Sequence, residues 1–183
     1  MGRPRIINAT GTYHVYARGN NKSQLFKEQE DYYTYLRLLL LTKIKYNILI
    51  YHYCLMPNHI HLVLRLQGEK NLSKMMWQLQ FQYAKYFVKK YAFSGHVWEK
   101  RFQNKSVETD GYLLGVGSYV ELNPIRAVLV QKPEDWVYSS YRYYAFGEAD
   151  LIVDTNLLYP RLGKTPEERQ TRYRDLVSKT RQS

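Results

Sequence analysis

The sequence predicts an α+β domain, and three observations carry that expectation. Residues 48–56 and 59–66 are β-branched and aromatic stretches separated by the turn signal Pro57-Asn58. Residues 28–46 and 71–93 carry their apolar side chains at helical spacing. A further alternating stretch, Thr10 to Arg18, stands before the first of those helices.

Taken in order, Thr10 to Arg18 reads as a strand with Tyr13, Val15 and Ala17 on one side. Gly19-Asn20-Asn21-Lys22-Ser23 has the composition of a loop. Glu28 to Tyr46 is a helix with Tyr32, Tyr35, Leu36, Leu39 and Lys43 at helical spacing, ended by Asn47. His59 to Leu66 alternates except at Val63. Asn71 to Phe93 is the clearest helix: Leu72, Met75, Met76, Leu79, Tyr83, Tyr86 and Phe87 form one stripe, Asn71 is placed to cap the start, and Gly95 to stop the chain a little past the end. Gly95 to Lys105 is a basic, aromatic loop or short strand, Asp110 to Glu121 a helix ended near Pro124, and Ile125 to Val130 a short helical turn. An aromatic segment, residues 137–146, is followed by an extended wrap, residues 147–163. In Thr165-Pro166-Glu167-Glu168, Thr165 caps a last helix, Pro166 takes its first position and Glu168 completes a capping box. The division expected is a domain of residues 1–146 and a C-terminal extension, residues 147–183. Its basic helix bears Arg169, Arg172 and Arg174. The thin apolar stripe Tyr173, Leu176 and Val177 is suited to docking on the domain or on a partner.

Charge narrows the partner. Among 183 residues, 27 Lys and Arg against 16 Asp and Glu give a net +11, which suits a polyanion. No apolar run approaches the roughly 18–20 residues that span a bilayer, and Met1-Gly2-Arg3-Pro4-Arg5 lacks the apolar core of a secretory signal. The single cysteine, Cys54, excludes an internal disulfide and fits a reducing, cytoplasmic setting. The 19 tyrosines suit either base stacking or the filling of half-buried faces.

Chemistry concentrates in two places. In His59-Ile60-His61 the i, i+2 spacing sends both imidazoles to one face of a strand, while Ile60, Leu62, Leu64 and Leu66 take the other, which must be buried. Two imidazoles so placed can share one divalent cation, although two ordinary hydrogen-bonded histidines satisfy the same spacing. On the helix 110–121, Tyr119 stands one turn before Asn123 on the same face. The Asn carbonyl suits a hard cation such as Mg²⁺ or Mn²⁺, and a phenol beside a metal-bound phosphate is a credible nucleophile. Tyr112 competes for that role from nearly the same face, and a packed core tyrosine is the plain alternative for Tyr119.

At these residues the chain resembles a family. Tyr53-Cys54-Leu55-Met56-Pro57-Asn58-His59-Ile60-His61-Leu62 is similar to the signature of the REP-associated tyrosine transposases, a branch of the HUH single-tyrosine transposases of insertion sequences. The likeness continues through Thr12 to Asn20, Gly95 to Phe102, Tyr119 to Ala127 and Trp136 to Tyr141, covering roughly residues 3–145 in order. It implies a ferredoxin-like central antiparallel sheet with packed helices, the HUH endonuclease fold. It also implies that His59, His61 and Asn123 hold the metal and that Tyr119 is the nucleophile. Relatives carry Gln as well as Asn at the position of Asn123. Val128 stands where they usually have Gly.

The reaction implied is cleavage of single-stranded or hairpin DNA at palindromic repeats, leaving a 5′-phosphotyrosine that a later 3′-OH resolves. The protein would act as a monomer or homodimer associated with the nucleoid. Because a free phenol ionises only near pH ~10, a base or metal must assist, and His52 and His96 are candidates that no spacing argument separates. For DNA binding the expected residues are Arg18, Lys85, Trp98, Lys100 and Arg101, with Arg3 and Arg5 as a minor-groove arm or simply a basic tag. Three other readings compete: a non-catalytic DNA-hairpin-binding regulator on the same fold, an RNA-binding sheet, for which the usual aromatic pattern is missing, and a zinc protein using Cys54, His61 and His52.

Overall fold

A computed structural model describes residues 11–67, 72–108 and 110–182, so Arg3, Arg5 and the cap expected at Asn71 lie outside the described residues. Four strands, β1 (Thr12–Arg18), β2 (Ile48–Met56), β3 (His59–Leu66) and β4 (Gln103–Ser106), form an antiparallel sheet in the order β2-β3-β1-β4. Helix α1 (Gln29–Tyr46) joins β1 to β2, and α2 (Leu72–Tyr91) joins β3 to β4. This βαββαβ path, with β3 inserted between β1 and β2, is the ferredoxin-like arrangement expected.

The alternation read from the sequence sorts the two faces. Tyr13, Val15 and Ala17 of β1 and Ile60, Leu62, Leu64 and Leu66 of β3 are buried in one core with α1 and α2. The opposite face carries Val63, Cys54, Tyr51 and Met56 under α3 (Asp110–Glu121). Val63 breaks the polar alternation because that helix covers it.

Ends of helices follow local chemistry. Glu28 and Asp31 form a capping box at α1, and Asn47 closes that helix in the left-handed region at φ 46°. Helix α2 does not wait for Gly95: Ala92 turns left-handed at φ 46° and the Phe93 amide donates to the Val88 carbonyl at 3.2 Å, so the last carbonyls are satisfied three residues earlier than expected. After α3 a short helix, α4 (Asn123–Arg126), ends at Val128, whose φ of 56° explains why a glycine suits that position.

The C-terminal residues pack into the same core. Following α5 (Tyr141–Phe146), residues 147–163 bury Ile152, Val153 and Tyr159. The Asp154 carboxylate accepts the Ile50 amide at 2.8 Å and pairs with Lys43 at 2.8 Å. Thr165 caps α6 (Pro166–Gln182), its Oγ1 accepting the Glu168 amide at 3.2 Å. The stripe on α6 docks on the domain itself: Tyr173 and Val177 are buried there. Among the described residues no helix is long and apolar enough to cross a membrane.

One buried polar network lies between α3 and its neighbours. The two carboxylate oxygens of Glu121 accept Ser140 Oγ at 2.6 Å and Tyr173 OH at 2.7 Å, and Oε1 also pairs with His52 Nδ1 at 3.0 Å. Asn156 Nδ2 is 3.0 Å from the other His52 nitrogen. Gly117 of α3 lies directly on the His52 ring, where any Cβ would overlap it.

Candidate active site

The side of the sheet facing α3 is apolar toward β2 and opens toward β1 into a cleft. Because β1 and β3 pair Tyr16 with His61 and Arg18 with His59, the β1 residues His14, Tyr16 and Arg18 share the face of the two histidines. Helix α3 crosses that face and brings Tyr119 and Asn123 to the same opening. His59, His61, Tyr119 and Asn123 thus line one cavity of about 460 Å³, together with Arg18, Glu99, Lys100, Arg101 and Gln103.

Each imidazole is half-partnered. His59 Nδ1 lies 2.6 Å from Asn58 Oδ1, and His61 Nδ1 lies 3.0 Å from His14 Nε2. The two rings are 5.0 Å apart, edge to face. No protein group among the described residues hydrogen-bonds either Nε2. Burial lowers the His59 pKa to about 4, with help from Arg18, and lowers the His61 pKa to about 2, with the neighbouring His14, His59 and Arg18 adding to it. His14 is lowered to about 4 by burial and by Lys105. All three are therefore neutral at pH 7 and keep a lone pair.

Tyr119 is 44% exposed, which sets aside a packed core tyrosine. Its ring is held between His14, edge-on at 6.3 Å, and the Arg126 guanidinium, 4.5 Å from its centroid. Tyr112, the competitor, is 64% exposed and does not line the cavity. Asn123 lines the cavity, and its Nδ2 donates to the carbonyls of Tyr119 (3.1 Å) and Val120 (3.0 Å), closing the end of α3.

Two imidazole nitrogens and one amide oxygen make a mixed donor set that can hold a first-row divalent cation such as Mn²⁺, and Mg²⁺ with water completing its oxygen shell. Two neutral imidazoles with Nδ1 anchored by outer partners offer Nε2, as metal-binding histidines do, and Asn123 adds a neutral oxygen. No three His, Cys, Asp or Glu side chains among the described residues are grouped to hold a metal by themselves. The zinc alternative lacks its geometry. Cys54 does lie opposite His61 in the sheet, but its thiol is fully buried, contacts Met56 Sδ at 3.7 Å and is raised well above its usual pKa by burial and by Glu121.

Several expected residues sit elsewhere. His52 is completely buried in the Glu121 network and His96 is outside the cavity, so neither can act as a base on Tyr119. Trp98 is half-buried, its indole N–H donates to the Gln80 carbonyl at 2.9 Å, and it lines a groove beside the cleft that also holds Lys100 and Arg101, while Phe102 is buried. Lys100, Arg101 and Arg18 do line the cavity, while Lys85 is exposed on α2. The sequence reading missed His14 and Glu99. Cross-strand register is the signal that would have found His14. Glu99 carries none, although it is the one carboxylate among the described residues lining the cavity.

Comparison with known proteins bears on this geometry. The family described as Transposase IS200 like matches residues 9–123, more than half of the chain, from β1 through Asn123. The chain belongs to the IS200-like transposases. A Haemophilus influenzae protein named as a REP-associated tyrosine transposase is 29% identical over 99 residues, which cover 48% of this chain and 56% of that protein. The match therefore spans about half the length of this curated relative. A solved structure of a REP-associated tyrosine transposase bound to a REP hairpin aligns with a TM-score of 0.66 at 20% identity, over 86% of this chain and 93% of that one, a likeness of fold. Both relatives of this IS200-like transposase carry the name of the branch its motifs resemble.

Proposed function

We propose that this transposase is a metal-dependent single-stranded DNA endonuclease and strand transferase acting on hairpin-forming repeat DNA. The observation that carries the reading is the convergence of Tyr119, His59, His61 and Asn123 on one cleft rimmed by Arg18, Lys100 and Arg101. Three cations at the mouth suit a phosphate backbone. The structural relative was solved with a REP hairpin, which makes a hairpin the natural substrate to test.

His59, His61 and Asn123 would hold Mg²⁺ or Mn²⁺, which supplies neutralisation of charge on the non-bridging phosphate oxygens. Tyr119 gives up its phenolic proton to solvent and attacks the phosphorus. A bond forms between the phenolic oxygen and phosphorus, the bond to the 3′ oxygen breaks, and that oxygen leaves as a 3′-OH after taking a proton from solvent. The 5′-phosphotyrosine retains the phosphodiester energy, so a later 3′-OH rejoins DNA without ATP. His14 and Arg126 fix the Tyr119 ring so that its oxygen is presented to the cleft.

The test is incubation with a labelled hairpin oligonucleotide and Mg²⁺ or Mn²⁺, followed by denaturing electrophoresis. A covalent protein–DNA band that disappears in Tyr119→Phe is expected. Tight hairpin binding without any covalent band would make the protein a non-catalytic regulator instead.

A further inference from the structure

Helix α2 presents its core stripe to the sheet, and its outer face carries two aromatic rings that nothing covers. Trp77 is 63% exposed and Phe81 52% exposed. One helical turn apart, their rings stack at 5.3 Å with planes only 10° apart. They border a shallow groove of about 340 Å³ that also contains Val88, and its far rim is His96, Lys100 and Arg101. Lys100 and Arg101 also line the cleft that holds Tyr119, so groove and cleft share a basic wall.

We propose that the Trp77–Phe81 pair is a stacking platform for unpaired DNA bases next to the cleaved phosphate. This rests on the DNA-cleaving reading of the cleft and specifies where the single strand runs. A flat pair of rings presents a face on which a base continues the stack, and stacking of this kind tolerates any base. The cations of the shared wall match the phosphates linking such a base to the one in the cleft. The same charge argues against a second copy as the occupant, since each chain carries a net +11 and would bring positive charge against a positive rim.

The experiment compares two hairpins by fluorescence anisotropy, one blunt and one with short unpaired tails, against wild type, Trp77→Ala/Phe81→Ala and Trp77→Phe. Both positions are exposed, and thermal melts verify that the variants fold. The double variant is expected to bind the tailed hairpin roughly tenfold more weakly and the blunt hairpin unchanged. Trp77→Phe keeps a ring and should retain most of the affinity. Replacing the tail bases by abasic sites, which leaves the phosphates, should remove the difference between wild type and double variant. Equal affinity of the two proteins for the tailed hairpin, or an equal loss on both hairpins, overturns the platform alone. So does sedimentation showing a wild-type dimer that the double variant cannot form, with DNA binding unchanged. Wild type binding neither hairpin overturns the proposed function as well.

Discussion

Helix α3 sends two neighbouring side chains to opposite fates. Tyr119 enters the open cleft beside His14 and His61. Glu121, two residues on, enters the closed network with His52, Tyr173 and Ser140. Both regions put imidazoles from the sheet beside residues of the same helix. In the network both His52 nitrogens and both Glu121 oxygens have protein partners. In the cleft each histidine of β3 keeps one nitrogen uncommitted. The contrast shows how this fold separates holding from reacting: a satisfied polar cluster fixes the helix, so that an unsatisfied one can stay poised at the surface.

The sharpest way to break that comparison is to exchange the phenotypes. Tyr119→Phe is expected to remove covalent attachment to DNA completely and to leave the melting temperature unchanged. Glu121→Ala should do the reverse, costing about 3–5 kcal/mol by stranding buried partners while purified folded protein still forms the covalent band. Urea titrations and the covalent assay, run on both variants, check this. Full attachment by Tyr119→Phe, or an unchanged unfolding midpoint for Glu121→Ala, would dissolve the division.

Asn123 sharpens it, because it lines the cleft while its amide closes the end of the helix that joins the two regions. On the proposed ligand role, Asn123→Ala should raise the metal concentration needed for cleavage and also lose about 1 kcal/mol from the two hydrogen bonds that close α3. Asn123→Asp keeps an oxygen and loses the donors, so metal affinity should survive while stability falls. A metal titration beside thermal melts separates the two duties.

Acid should act through the cleft. His14 and His59 are lowered to about 4 and His61 to about 2, chiefly by burial, so the folded state favours their neutral forms. Their contribution to stability is fully present above the unfolded value of about 6.5 and is lost as pH falls from there toward 4, with the His61 part lost last. Unfolding midpoints without metal should drop between pH 7 and pH 4.5, and less so in His14→Gln. The smallest effect is a control outside both regions. Val128 is 89% exposed with a left-handed backbone, so Val128→Gly should stabilise by about 1 kcal/mol and leave attachment untouched, as melts and the covalent assay will report.

Much of this arrangement was legible in the sequence wherever one period decides a face. Alternation placed His59 and His61 opposite Ile60 and Leu62, and the i+4 step placed Asn123 beneath Tyr119. What escaped depends on pairing between distant segments. His14 meets His61 only through the register of β1 against β3, set 47 residues away. His52 does share the face of Cys54, but that part of the face is closed by α3, whose Gly117 lies on the His52 ring. That the Trp98 indole N–H is anchored to the Gln80 carbonyl likewise depends on where the loop meets α2. The resemblance supplied the order of the strands and the roles of the residues, which spacing alone left open.

Gly117 sets how near the nucleophile can come to the histidines. A single methyl there would meet the His52 ring, so α3 would have to lift from the sheet, carrying Tyr119 with it. Tyr119, His59 and His61 would be unaltered, and the basic rim of Arg18, Lys100 and Arg101 lies on other segments. On the proposed function, one base change at a residue that contacts no substrate would leave a protein that binds its DNA and does not cut it. A lineage could cross that distance in a single mutational step.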